Sequence, residues 1–250
     1  MMIIDSYRFC GGGGVPWTPQ EIISDVEVWL KPFDTGTVTY SSGTSISVAD
    51  QSGNSHDFEK TSGDIPTSGV DTVDGNNAIG FNGGSTEYLI SSDNVPFRSA
   101  FFFGKADVSK NATWASQPAN MCFLGGATLA NAYIARGSLS YIPQGGSPSY
   151  SLHRTNGQTD IGNAGNINYP EYFTYIEYSA NTANSKLHLG NLGSGTARLL
   201  EGFLGEMILF NTTLSSTDYE KVEGYASWRS AGDGSYLPAG HPYKSAAPTV

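Results

Sequence analysis

Carboxylates and histidines are the residues of this sequence whose spacing could do catalysis. A retaining glycosidase needs two carboxyl groups about 5 Å apart, which on a strand means an acid at i and another at i+2 on the same face. The corresponding Glu-x-Asp-x-x-Glu spacing occurs nowhere in the chain. Glu220 and Glu223 are close in sequence, but on a helix they read as solvated charges flanking Lys221. Serines are plentiful, yet no Gly-x-Ser-x-Gly elbow is present. His56, His153, His188 and His241 stand in turn, strand and tail contexts without a companion motif, which is how surface or hydrogen-bonded histidines look. No catalytic residue is assigned, and the expectation is a protein that is not an enzyme. For His241 the expectation is that it locks the tail onto the body.

Two binding chemistries fit the residue types better. Ca²⁺ takes six to eight hard oxygens at irregular geometry, and Asp50, Asn54, Asp71 and Asp74 lie in turn-rich stretches that supply such oxygens. Their spacing is not that of a dedicated calcium loop, so an Asx-turn at each is the reading the sequence favours over a metal site. No other cofactor is expected. Saccharides need an aromatic ring for their C–H faces, with amides or hydroxyls beside it. Trp114, Tyr133, Tyr141 and Tyr150 occupy a Gly/Ser/Asn/Gln-rich middle section and are the candidate glycan-binding set. Cys10 and Cys122 are far apart and outside any Cys-x-x-Cys pattern, so they read as two unpaired thiols.

The elements that position these residues are strands. With 31 glycines, 12% aromatic and only 14% charged residues, the chain has the make-up of many short strands joined by tight turns, not of helices. Val26, Val28 and Leu30 alternate with Glu27, Trp29 and Lys31, and Leu187 and Leu189 alternate with Lys186 and His188, the period-two pattern of half-buried antiparallel strands. Ala100–Phe103 and Phe203–Phe210 are apolar on both faces and read as central strands. Further strands are expected at 79–81, 87–90, 121–125, 133–135, 150–154 and 172–179, separated by clusters such as Asp74-Gly75-Asn76-Asn77, Asn82-Gly83-Gly84-Ser85 and Asn163-Ala164-Gly165-Asn166. One helix is expected near Ser216–Arg229 at the sandwich edge, capped by Ser215 with Asp218 three residues on, and with Tyr219, Val222 and Ala226 on one face. The two prolines in 236–244 preclude regular structure there and favour an extended tail over the surface.

Residues 1–20 read differently. Met2–Phe9 is followed by four glycines and then by Val15-Pro16-Trp17-Thr18-Pro19, a hinge and a stiffened turn. The expectation is an assembly anchor that buries Ile3, Ile4, Tyr7 and Phe9 in a partner, ahead of a single sandwich domain over 21–250. Met1–Phe9 is too short and polar for a secretory leader, and no stretch reaches the length of a membrane span. A net charge of −10 with no Lys/Arg cluster argues against nucleic acid as a partner.

Three stretches resemble one family. Asp50-Gln51-Ser52-Gly53-Asn54-Ser55-His56-Asp57-Phe58 looks like a family turn that follows the strand at Val26–Leu30. Asn77-Ala78-Ile79-Gly80-Phe81-Asn82-Gly83-Gly84-Ser85-Thr86-Glu87-Tyr88-Leu89 is similar to a family hairpin. Gly205–Asn211, then Val222-Glu223-Gly224-Tyr225-Ala226-Ser227-Trp228, then Leu237-Pro238-Ala239-Gly240-His241-Pro242-Tyr243, resemble its closing strand, helix and tail in order. Together they resemble the laminin-G-like/concanavalin-A-like lectin modules of tailed-bacteriophage structural proteins, over roughly residues 21 to 245. Lys31 and Pro32 stand where members often carry an aspartate, so no metal role is carried to that position. The resemblance implies an all-β, antiparallel two-sheet jelly-roll sandwich with one short C-terminal helix and an extended tail. It also implies a virion structural protein of tail, fibre or head surface. The expected partners are other virion proteins, further copies of the chain and host-surface polysaccharide, without membrane insertion. The alternative is a free carbohydrate-binding or polysaccharide-degrading module.

Overall fold

The computed structural model describes residues 15–83, 86–106, 121–126, 131–136, 144–145, 149–159, 173–182, 184–191 and 200–250. Its strands in chain order are β1 (Val26–Leu30), β2 (Val38–Ser41), β3 (Ser45–Val48), β4 (Phe58–Lys60), β5 (Thr67–Val73), β6 (Asn76–Asn82), β7 (Leu89–Asn94) and β8 (Ser99–Ala106). They continue with β9 (Met121–Gly126), β10 (Asn131–Arg136), β11 (Gln144–Gly145), β12 (Tyr150–Thr155), β13 (Gln158–Thr159), β14 (Phe173–Tyr178), β15 (Lys186–Leu189) and β16 (Glu201–Phe210). Among the described residues one α-helix, α1, spans Ser216–Ala231, besides short 3-10 turns at Pro19–Asp25 and Thr35–Thr37. The fold is an all-β, antiparallel two-sheet sandwich with a single C-terminal helix.

The first sheet runs β13-β12-β14-β8-β16-β6-β5, and the second β11-β10-β9-β15-β7-β4-β3-β2. The long strand β16 pairs with β8 along one side; on the other it meets β6 over Glu201–Leu204 and then β1 over Met207–Phe210. The β6 and β7 strands lie in different sheets. The Asn77–Leu89 stretch, read as a hairpin, is therefore a crossing between the sheets. The true hairpin here is β5–β6, whose Asp74 and Gly75 both take positive φ (55° and 79°), the pair of left-handed conformations that a two-residue turn matching strand twist requires.

Side-chain parity sorts the apolar residues into two cores. Between the sheets lie Val28, Leu30, Ile46, Val48, Phe58, Phe81, Leu89, Phe102, Leu187, Leu189, Met207 and Leu209, among others. On the outer face of the first sheet Trp29, Phe33, Phe101, Phe103, Phe173, Tyr175, Ile208 and Phe210 pack against Val222, Tyr225 and Ala226 of α1 and Leu237 of the tail. The helix therefore covers a sheet face, not the sandwich edge. The molecule has three layers, and strands of the first sheet are buried on both sides, as with helix-covered sheets generally. This corrects the reading of β1 as half-buried: a register shift between Val26 and Val28 places Val26 with Trp29 on the helix side, while Val28 and Leu30 face the second sheet.

A second bulge decides where Glu206 points. Leu204, Met207 and Leu209 all face the second sheet, which a regular period of two forbids. The register shift between Leu204 and Glu206 resolves this, with Gly205 as the extra residue. A Cβ at Gly205 would stand 2.3 Å from Phe33 Cζ, so only glycine lets the Phe33 ring lie across the bulge. Glu206 thus turns out of the inter-sheet core and toward the helix.

α1 begins as its sequence suggests. Ser215 Oγ accepts from Asp218 N at 3.2 Å and donates to Asp218 Oδ2 at 2.6 Å, which satisfies an otherwise orphan donor of the first turn. The helix stops at Gly232, in the left-handed conformation at φ 77°. The Pro16–Pro19 stretch is packed: Trp17 is buried edge-on to Tyr225, its backbone N–H donates to Pro248 O at 2.9 Å, and Pro16 bridges Thr249.

Candidate functional site

Two carboxylates on the helix side are wholly withdrawn from water. Glu223, on α1, is fully buried and takes a bidentate pair of hydrogen bonds from Arg154 of β12, Nε to Oε1 at 2.8 Å and Nη2 to Oε2 at 2.9 Å. Arg154 also donates to Thr159 Oγ1 and Gly157 O, both at 2.8 Å, and lies over the Tyr219 ring at 4.5 Å. The reading of Glu223 as a solvated charge is therefore overturned. A buried carboxylate survives because a planar guanidinium meets both its oxygens.

The tail closes this cluster. His241 Nδ1 accepts from Tyr243 N at 3.2 Å, which leaves Nε2 as the protonated nitrogen and sets it to donate to Glu223 Oε2 at 3.0 Å. Trp228 Nε1 donates to Tyr243 O at 2.9 Å. A Cβ at Gly224 would stand 2.7 Å from Tyr243 Cβ, so the glycine is what lets the tail lie on the helix. The Glu-Gly-Tyr-x-x-Trp and Leu-Pro-x-x-His-Pro-Tyr stretches are thus two halves of one joint, and His241 does lock the tail.

Glu206 is the second buried carboxyl. Trp29 Nε1 and Tyr225 OH donate to it, and burial pushes its pKa up, against the opposing pull of Lys31, Trp29, Arg229 and Tyr225. Neither Glu206 nor Glu223 reaches solvent, so neither meets a substrate.

The outer face of the second sheet is built differently. Among the described residues both hydrophobic clusters lie elsewhere, between the sheets and under the helix. Cross-strand pairing strings Thr39, Ser47, Glu59, Ile90, His188 and Gly125 into one row across β2, β3, β4, β7, β15 and β9. Five strand spacings make that row about 24 Å long. Ser45, Ser47 and Ser92 are half-buried on this face, and Thr39, Ser41 and Glu59 are exposed. It is a polar, hydroxyl-rich strip.

At one end of the row three side chains stack. Tyr88 lies parallel to His188, with ring centroids 4.7 Å apart and planes at 11°, and Lys60 Nζ sits 3.5 Å from the Tyr88 centroid. His188 is only 6% exposed and its Nδ1 is buried without a hydrogen bond, unlike the surface or hydrogen-bonded histidine that its sequence context suggests. Burial first, and the Lys60 charge second, lower its pKa to about 4.

That shift gives a measurable pH dependence. The folded state disfavours protonation, whereas an unfolded histidine takes a proton near pH 6.5. The stability held at neutral pH is accordingly lost as pH falls from about 6.5 toward 4, by at most about 3 kcal/mol. His188→Phe keeps the ring stack and removes the titration. Urea unfolding between pH 4 and 7.5 should show a shallower acid-side loss for the variant, and identical slopes would refute the assignment.

The other expected site residues separate. Asp50 and Asn54 sit in the loop between β3 and β4. Asp50 accepts from Trp29 N, Ser52 N and Oγ, and His56 N, and Asn54 Nδ2 donates to Val26 O and Glu27 O. Asp71 accepts from Thr67 Oγ1, and Asp74 from Ser230 Oγ and Tyr236 OH. Asp50 and Asp74 brace turns and Asp71 bonds within β5, and among the described residues no three acidic, histidine or cysteine side chains gather as metal ligands would. Tyr150 is 45% exposed at the start of β12, edge-on to His153. Tyr133 falls on β10, in the other sheet. Trp114 and Tyr141 lie outside the described residues, as do Ile3, Ile4, Tyr7 and Phe9. Sequence reasoning missed Lys60 and Tyr88; the position of His188 between Leu187 and Leu189 was the available signal that it faces outward.

The class these features define is a two-sheet antiparallel sandwich with one face sealed by a helix and tail and the other laid with hydroxyls. Comparison of the chain with protein-family models, with curated proteins and with solved structures finds no match to any of them.

Proposed function

We propose that the chain is a structural protein of a tailed-phage virion, in tail, fibre or head-surface decoration, that holds a lectin-like sandwich outward to host-surface glycans. The observation that carries the reading is the asymmetry of the two outer faces. Helix, tail and the Trp17 segment fill the first, whereas the second carries a cross-strand row of mostly polar side chains, Thr39, Ser47, Glu59 and His188 with Ile90 among them, and Tyr88 stacks on its histidine. Saccharide hydroxyls need hydrogen-bonding partners on a pre-formed surface, and a sheet supplies them at fixed spacing. The resemblance to phage lectin modules and the acidic exterior support the same reading. The Met2–Phe9 arm is the expected attachment to other virion proteins.

Two measurements test it. Mass spectrometry of density-purified particles carrying the gene should detect the chain, and its absence from them would end the virion reading. A version lacking residues 1–14 should melt at the same temperature yet be missing from particles. If it assembles normally, the sandwich attaches by its own surface instead.

A further inference from the structure

Residues 15–17 pair antiparallel with residues 248–250. Trp17 N donates to Pro248 O at 2.9 Å, Val250 N donates to Val15 O at 3.1 Å, and Pro16 stands opposite Thr249. The inner end of this ribbon is buried and the outer end is not. Trp17 and Pro248 are withdrawn from water, whereas Val15 is 68% and Val250 64% exposed. The ribbon therefore points out of the body, and the chain before Val15, the Gly11–Gly14 run and Met2–Phe9, starts from its exposed end.

Two hydrogen bonds do not hold such a ribbon in water, where even a longer isolated hairpin is marginal. It is held by what its two strands are fastened to. On one side Trp17 lies edge-on to Tyr225, with ring centroids 6.3 Å apart, in the cluster that includes Val222, Ala226 and Leu237. On the other, the tail is fixed shortly before the ribbon. His241 bonds Glu223, Tyr243 O accepts from Trp228 Nε1, and Lys244 Nζ donates to Gly234 O and Ser235 O. Only Ser245-Ala246-Ala247 separate Lys244 from Pro248. Tyr225, Glu223 and Trp228 all belong to α1, so both strands of the ribbon are fastened to the helix. A pull on Val15 along the ribbon strains both hydrogen bonds together, because they run across the strands and 248–250 is held from its inner end.

We propose that residues 248–250 are a strap that seats Trp17 and so fixes where, and in which direction, the Met2–Phe9 arm leaves the body. Load on the arm then reaches α1 before it reaches β1. The role for the arm rests on the anchor reading above; the seat itself does not. The glycine run lets the arm turn, and the strap fixes the pivot. Coupling between two sites is reciprocal: loosening the strap unseats Trp17, and unseating Trp17 frees the strap.

Amide hydrogen exchange of the full chain, read by mass spectrometry, tests the seat, since local opening shows as faster exchange confined to one segment. Removal of 248–250 should speed exchange across residues 15–25 by about tenfold or more, with β3, β4 and β8 unchanged. Val250→Pro, which deletes only the N–H given to Val15, should act in the same place by a smaller factor. Trp17→Ala should speed exchange across 245–250 by about tenfold. If removal of 248–250 leaves 15–25 as in wild type, or speeds the sandwich strands equally, the strap is refuted. Particle incorporation tests the role for the arm. The chain without 248–250 should enter particles at about a tenth of the wild-type amount, although residues 1–14 are intact. If it is loosened at 15–25 yet enters as wild type does, the strap does not serve the arm and the proposal is overturned. Normal entry of a chain lacking 1–14 would instead sink the anchor reading, and the strap's role for the arm with it.

Discussion

Replacing Glu223 with alanine is expected to lower the stability of the sandwich by about 3–5 kcal/mol, the usual cost of stranding one partner of a buried ion pair. The guanidinium of Arg154 would keep Thr159 and Gly157 but lose both carboxylate oxygens, and His241 would lose its acceptor. Domains have only some 5–15 kcal/mol to lose, so the melting temperature should fall by about 6–20 °C for a chain of this size. The loss belongs to the stranded charge and not to the attraction itself. Arg154→Met combined with Glu223→Leu, which removes both charges and fills the space, should therefore recover much of it. His241→Ala should cost less, because the Arg154–Glu223 pair survives, and should show itself as proteolytic cutting within 237–245. A double variant no more stable than Glu223→Ala would show that the pair's own energy, and not desolvation, dominates.

Glu206 should behave in the opposite way under a conservative change. Its folded pKa is raised by burial, so the folded state holds its proton more tightly than the unfolded chain does. By linkage the protein gives up stability as pH climbs through the unfolded value of about 4.5 toward the folded one, and regains it on acidification. Glu206→Gln imitates the protonated acid and keeps one oxygen for Trp29 Nε1 and Tyr225 OH. It should melt at or above the wild-type temperature at pH 7–8, with the difference shrinking toward pH 4. Glu206→Ala takes the acceptor from the buried Trp29 Nε1–H, which costs about 1–3 kcal/mol. A glutamine variant as damaged as the alanine variant at neutral pH would mean that the carboxylate is charged in the folded protein. The raised pKa would then be disproved.

Much of the fold is legible in the sequence, and the failures share a cause. Ala100–Phe103, Phe203–Phe210 and Leu187–Leu189 announce themselves because burial on one or both faces dictates apolar residues. The helix is legible from Ser215 and Asp218, whose contacts are local. The strands β2, β3 and β4 went unread. Val38–Ser41, Ser45–Val48 and Phe58–Lys60 are three or four residues long, with Ser, Thr or Glu on one face. That is too short for periodicity to register. Glu223 was misread because its partners are 69 and 18 residues away; an acid beside Lys221 on a helix looks solvated until the tertiary structure supplies Arg154. The same holds for Lys60, Tyr88 and His188, which come together only through pairing of strands remote in sequence. The bulge at Gly205 reverses the parity of everything after it in β16, and the single local hint is a Gly-Glu pair inside an otherwise apolar run.

The place of β16 also bears on how the chain is made. It comes after the other fifteen described strands in the chain, yet it stands in the middle of the first sheet, between β8 on one side and β6 and β1 on the other. Until Glu201–Phe210 has left the ribosome, two sheet edges lined with Phe101, Phe103, Ile79 and Trp29 face a gap one strand wide. Pairing across such a sequence separation is slow, and waiting edges of this kind invite intermolecular pairing. A chain stopped before residue 201 is a fragment with a slot in its centre, and the 200 residues before it must wait, unfinished, for their keystone.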